Sequence, residues 1–164
     1  IPNSNIMVAG KGNIRAISLM AKFMKSGTAT LTFNLSDGTV TIPFTITVKV
    51  GTAWNETLSG TEGADMIFGL NGKDTINGFG GNDLLCGGNG VDTISGGDDN
   101  DFIDGQNGDD LLTGGNDNDI LLGRFGNDVL TGGSGFDFFS GGAGVDTATD
   151  FNAGEGDTQD GTIP

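Results

Sequence analysis

Gly87-Gly88-Asn89-Gly90-Val91-Asp92-Thr93-Ile94-Ser95 decides the fold of this chain, because the same nine-residue pattern repeats without insertion or deletion from Gly60 to Thr149. Ten consecutive units open with Gly and carry Asp at the sixth position: Asp65, Asp74, Asp83, Asp92, Asp101, Asp110, Asp119, Asp128, Asp137 and Asp146. The eighth position is large and apolar in nine units (Ile67, Ile76, Leu85, Ile94, Ile103, Leu112, Leu121, Leu130, Phe139) and shrinks to Ala148 in the last. So glycine-rich a hexapeptide does not become helix, since each Gly costs about 1 kcal/mol relative to Ala there. It suits a turn, where glycine reaches positive φ and lets two backbones approach closely. The three residues that follow fit a short strand with only the middle side chain inward. Two units therefore reverse the chain twice and close one coil of 18 residues. The expected fold is all-β: stacked coils form a parallel β-roll, two sheets facing each other across a thin Ile/Leu core, with strands about 4.8 Å apart.

That stacking brings each sixth-position Asp near the one 18 residues later, from Asp65 and Asp83 through to Asp128 and Asp146. Like charges at such a separation repel by roughly 3 kcal/mol at an effective dielectric of about 20, so a cation is expected between them. Carboxylates and loop carbonyls are hard oxygen donors in a flexible cage, which favours Ca²⁺ over the smaller Mg²⁺; zinc would want His or Cys, and the chain has no His. The unit quoted above and its neighbours resemble the RTX repeat Gly-Gly-x-Gly-x-Asp-x-U-x, with U large and apolar, a repeat known to bind Ca²⁺. The resemblance covers residues 60–149 and, more loosely, Gly51 to Ser59. It implies Ca²⁺ held between successive coils by the sixth-position Asp and loop carbonyls, and export by a bacterial type I system that folds its cargo in external calcium. Pairing each loop with the one a coil later gives about eight ions.

Position four is Asp in two units, Asp99 and Asp117, stacked one coil apart. Asp tolerates a left-handed backbone, so these are either turn residues or additional ligands. Leu70, Phe79 and Arg124 replace Gly at position two; Arg124 is either a surface charge or a weakening of its neighbouring site. Sorting the outward positions onto two sheets gives Met66, Leu84, Phe102, Ile120 and Phe138 in one column of the first sheet, with Phe68, Cys86 and Leu122 beside it. Water does not favour so large an apolar face, so a cover is expected: residues 1–50 folded back, another copy, or another cell-surface protein. The second sheet presents Thr75, Thr93, Leu111, Val129 and Thr147, then Asn77, Ser95, Thr113, Thr131 and Thr149. Threonine rows resemble the ice-binding faces of some antifreeze β-solenoids, but threonine is also simply favoured on exposed strands.

Residues 1–50 differ in kind, with five basic residues against the single acid Asp37; residues 51–164 carry two basic and 21 acidic residues, a balance of +4 against −19. Thr28 to Leu35 and Thr39 to Val50 alternate apolar and polar around Ser36-Asp37-Gly38, which predicts a hairpin over 28–50. Ile14 to Met20 predicts a further strand. Leu31 to Gly38 followed by Val40 to Val50 resembles the closing strands of immunoglobulin-like or cadherin-like adhesin modules, which implies a small antiparallel sheet or partial sandwich. The expected organisation is a basic β segment at 1–50, the calcium-binding roll at 51–149 and an acidic cap or tail at 150–164. There, Asp150-Phe151-Asn152-Ala153-Gly154-Glu155-Gly156-Asp157 resembles the acidic cap that follows RTX arrays, with Phe151 expected to plug the core.

The negative balance disfavours nucleic acid, and no apolar stretch is long enough to insert in a membrane. No leader pattern opens the chain, which agrees with type I export and equally with a processed or excised chain. No His-Glu-x-x-His or Gly-x-Ser-x-Gly motif occurs, so no enzyme is expected in these residues. The first expectation is a secreted, extracellular structural or adhesive module of a bacterial cell surface, folding on Ca²⁺ and self-associating. The alternatives are the calcium-dependent tail of an exported hydrolase, and a threonine face that binds ice or crystals.

Overall fold

The computed structural model describes residues 26–36, 41–154 and 156–163. Its strands are β1 (Gly27–Ser36), β2 (Thr41–Val50), β3 (Thr57–Ser59), β4 (Asp65–Asn71), β5 (Thr75–Gly80), β6 (Leu84–Asn89), β7 (Thr93–Asp98), β8 (Phe102–Asn107), β9 (Leu111–Asn116), β10 (Ile120–Phe125), β11 (Val129–Ser134), β12 (Phe138–Ala143), β13 (Thr147–Ala148) and β14 (Thr158–Gln159). From β3 onward they alternate between two parallel sheets, each strand pairing with the equivalent strand one coil later: Ile67 with Leu85, Ile76 with Ile94, Leu121 with Phe139. Sheet order is β1-β2-β4-β6-β8-β10-β12-β14 on one side and β13-β11-β9-β7-β5-β3 on the other. The parallel roll read from the nine-residue period is the observed architecture.

The eighth-position side chains from Ile67 to Phe139 are fully buried and form one continuous core file with Leu58 and Ile163. Each coil contributes two such side chains, so the core is two residues wide and as long as the roll. Its far end is closed by residues outside the repeat. Phe151 packs edge-on against Phe139, ring centroids 6.0 Å apart at 81°, an arrangement aromatic quadrupoles favour. At the near end Lys49, on the same side of the sheet as its partner Ile67, crosses to the opposite sheet and donates to the carbonyl of Ser59 at 2.5 Å.

The N-terminal hairpin exists, with β1 and β2 antiparallel in a register running from Gly27 against Val50 to Ser36 against Thr41. It is not a separate layer. β2 pairs in parallel with β4, Val48 beside Met66 and Val50 beside Phe68, so the hairpin prolongs the eight-stranded sheet at its edge. The expectation that residues 1–50 fold back over the apolar face is therefore not met by 26–36 and 41–50: β2's backbone is engaged edge to edge, which carries the hairpin away from the face. Residues 1–25, with the strand expected at Ile14 to Met20, lie outside the described residues, as do 37–40.

Met66, Leu84, Phe102, Ile120 and Phe138 stand in register on the outer side of the eight-stranded sheet. The neighbouring column is less uniform than the sequence sorting implied: Phe68, Cys86, Asp104, Leu122, Ser140. Asp104 is held by a two-pronged bond from Arg124, Nε to Oδ1 at 3.1 Å and Nη2 to Oδ2 at 3.0 Å. Arg124 is thus a surface ion-pair partner on this face. Cys86, half-buried beside Asp104, has its thiol pushed up to about 11 by burial and then by that carboxylate. On the other sheet the Thr75 column is interrupted by exposed Leu111 and Val129.

Candidate metal centres

Each sixth-position Asp ends a glycine-rich turn and begins a strand, which fixes its side chain inside the loop column. All ten are buried, none more than 4% exposed. The carboxylates divide their oxygens in a regular way. Oδ1 accepts the backbone N–H of the Asp one coil earlier: Asp65 N–H to Asp83, Asp74 to Asp92, and onward to Asp128 N–H on Asp146, at 2.7–2.9 Å. The next strand is then locked by the carbonyl of the same residue, as in Leu111 N–H to Asp92 O at 2.9 Å. Oδ2 has no partner in Asp74, Asp83, Asp92, Asp101, Asp110, Asp119, Asp128 and Asp146, although each of these oxygens is shut away from solvent. A buried acceptor without a donor costs about 1–3 kcal/mol, more if charged.

The unpartnered oxygens have a defined setting. A methyl group placed on Gly69 would lie 2.6 Å from Asp74 Oδ2 and 2.5 Å from the carbonyl oxygen of Gly87; on Gly105 it would lie 2.5 Å from Asp110 Oδ2 and 3.1 Å from Gly123 O. In the units that open at Gly60 through Gly123, the first glycine leaves room where a carboxylate oxygen and the next coil's carbonyl oxygen converge. Donors of this kind, all oxygen and partly main-chain, fit Ca²⁺. The aspartates whose Oδ2 is unpartnered, from Asp74 onward, and the first-glycine carbonyls are the residues that would hold it, and bound there it supplies the positive charge these oxygens lack.

Among the described residues no three acidic, His or Cys side chains converge on one point. The N–H to Oδ1 bond turns each carboxylate toward its predecessor's backbone, so carbonyls must complete any cation shell. Asp99 and Asp117 are exposed and left-handed, φ 72° each, with Asp99 Oδ2 accepting Gly81 N–H at 3.2 Å; they stand outside the row of buried carboxylates.

Burial dominates the electrostatics. It pushes Asp83, Asp110 and Asp119 up to about 7 and Asp101 and Asp128 to about 6, against bound N–H groups that lower them, and carboxylates of adjoining coils add to the rise. Asp74, Asp92 and Asp137 are raised for the same leading reason.

The sequence reading missed four features. Glu56 holds the sixth position of the degenerate unit Gly51–Ser59: its N–H donates to Asp74 Oδ1 at 2.8 Å, and its Oε2 accepts Thr52 N–H at 2.5 Å. Asp157 continues the other column, accepting Asp137 N–H at 3.0 Å and Asn152 N–H at 2.9 Å. Gln106 is a further non-glycine at position two, φ 72°. Asparagines one coil apart form side-chain ladders, Asn107 to Asn89 at 2.9 Å and Asn89 to Asn71 at 2.7 Å. Their 18-residue spacing was the available signal for them.

Compared with known families, residues 50–85, 59–94, 87–121 and 122–148 match the RTX calcium-binding nonapeptide repeat (4 copies). Together these segments span 99 of the 164 residues. No curated protein matches the chain.

Proposed function

The chain belongs to the RTX calcium-binding nonapeptide-repeat family, a family of calcium-binding β-rolls found typically in secreted proteins, and from that premise we propose that it is a non-enzymatic structural and adhesive module of a bacterial cell surface. Calcium, about eight ions, drives the roll to fold outside the cell; the folded roll then presents its eight-stranded sheet for attachment or self-assembly. The observation that carries this reading is the register of Met66, Leu84, Phe102, Ile120 and Phe138, with no described strand packed over them. An apolar column of that length on one flat sheet is the kind of patch that marks an interaction site. No helix among the described residues is long and apolar enough to cross a membrane.

The test is light scattering in millimolar calcium on wild type and on the double variant Phe102→Asp, Ile120→Asp. Wild type should associate with rising concentration, and the variant should remain monomeric with an unchanged circular dichroism spectrum. A wild type that stays monomeric and also fails to adhere to bacterial surfaces removes the adhesive reading, while leaving calcium-dependent folding in place.

A further inference from the structure

In the nine units from Gly69 onward the second residue is left-handed, with φ between 72° and 133°. This holds whether the residue is glycine or a side chain such as Leu70 or Arg124. The two preceding units differ: each has threonine there, and neither Thr52 nor Thr61 has positive φ. A β-branched side chain is strongly disfavoured in the left-handed region, so the backbone turns the other way. The N–H that is directed away from the carboxylate elsewhere is directed onto it here. Thr61 N–H donates to Asp65 Oδ2 at 2.5 Å, and Thr61 Oγ1 lies 3.1 Å from both that oxygen and the carbonyl oxygen of Gly63, while Thr52 N–H donates to Glu56 Oε2 at 2.5 Å.

Oδ2 is the oxygen left unpartnered in the eight aspartates of the later loops described above. In Asp65 it occupies the same place, beside the Cα of Gly60 and the carbonyl of Gly78, but the Thr61 N–H already donates to it. Asp65 Oδ1 is the unpaired one. In later coils that oxygen receives the amide of the aspartate one coil earlier; here the equivalent residue is Thr47 of β2, whose N–H goes to Ala64 O at 3.4 Å.

We infer that the residue at position two selects whether a loop takes a cation, and that Thr61 and Thr52 exclude calcium from the first loop of each column by donating to the one carboxylate oxygen, Asp65 Oδ2 or Glu56 Oε2, that faces the first glycine. Calcium occupancy then begins at the loops of Asp74 and Asp83. The two opening loops, continuous with the hairpin sheet, close the roll at that end without metal. The inference rests on the calcium reading and is independent of adhesion.

Thr61→Gly is the discriminating variant, because its unit already has Gly at positions one and four. Bound calcium per full-length chain, measured by equilibrium dialysis and atomic emission at saturating calcium, should rise by one ion over wild type. Asp65→Asn should leave the wild-type number unchanged, yet abolish the gain when combined with Thr61→Gly. An unchanged number in Thr61→Gly, or the loss of an ion in Asp65→Asn alone, overturns the inference. A wild type that binds no calcium overturns the calcium reading together with it.

Discussion

Withdrawal of calcium at neutral pH is expected to turn the roll into largely disordered chain, with the β signal in circular dichroism returning at millimolar Ca²⁺, the range in which extracellular modules bind (about 10⁻⁴ to 10⁻³ M). The expectation follows from what the loops bury. In the protein alone Asp83, Asp110 and Asp119 ionise only near 7, and Asp101 and Asp128 near 6, against 3.8 for an unburied group. A raised folded-state value means that the unfolded chain ionises first. Below 3.8 both states are protonated and the carboxylates cost nothing; as the pH climbs toward 6 and 7 the unfolded chain sheds protons that the roll retains, and above 7 the whole penalty stands. Metal-free roll is therefore most favoured in acid and least favoured at neutrality. Calcium acts in the opposite sense, since it binds the deprotonated ligand. Two measurements check the sign. In excess EGTA, acidification toward about pH 4 should restore β structure, and the calcium concentration needed for folding should rise as the pH falls through 7 and 6. A chain fully ordered in EGTA at neutral pH would sink the calcium argument from its base.

How much of this was legible depended on whether the period reached the residue in question. Within Gly60 to Thr149 nearly every position announces its role: Ile94 is buried because it is eighth, Asp92 because it is sixth. At the ends the period breaks while the structure continues. Asp157 follows Asp137 by 20 residues, out of the nine-residue register although Gly154 and Gly156 precede it, yet its carboxylate takes the same N–H, because β14 pairs with β12 and brings it into line. Glu56 sits in a unit whose fourth residue is Trp54, 78% exposed, and only the bond to Asp74 reveals its place. Docking of the hairpin through β2 was hidden for a different reason. Edge pairing uses backbone groups alone, and its partner choice leaves no side-chain pattern in Thr41 to Val50. Asp104 on the apolar face was visible in the sequence; its tie to Arg124, 20 residues away, needed the left-handed turn that aims the guanidinium across one coil.

Gly105→Ala is expected to cost more than Gly88→Ala. Of the three glycine positions in the repeat, only the first is glycine in all ten units. From Gly69 onward positions two and four are left-handed, a conformation that Leu70, Phe79, Gln106, Asp99 and Asp117 adopt with side chains at φ 72° to 85°. A methyl group on Gly88 would meet the backbone oxygen of Leu70 at 2.1 Å where φ is 111°, a clash that eases as φ relaxes toward the 82° at which Leu70 itself carries a side chain, at a cost of about 1–2 kcal/mol. The first glycine is constrained by space instead. A methyl group on Gly105 would stand 2.5 Å from Asp110 Oδ2 and 3.1 Å from Gly123 O, between a buried carboxylate and the backbone of the next coil. Rotation of φ does not clear both. Either the two coils part, breaking bonds such as Asp92 N–H to Asp110 Oδ1, or the carboxylate leaves the place where a cation would meet it. Overpacking of this kind costs about 1–3 kcal/mol, and displacement of the carboxylate adds the loss of cation binding. The calcium concentration at half-folding should rise further for Gly105→Ala than for Gly88→Ala, and Gly105→Ala should bind fewer ions at saturation; because several ions bind as the chain folds, a cost of about 1.4 kcal/mol moves this midpoint by much less than the tenfold expected for one ion. Equal midpoints for the two variants would show that loop conformation, rather than the space around Asp110 Oδ2, makes the first glycine necessary in all ten units.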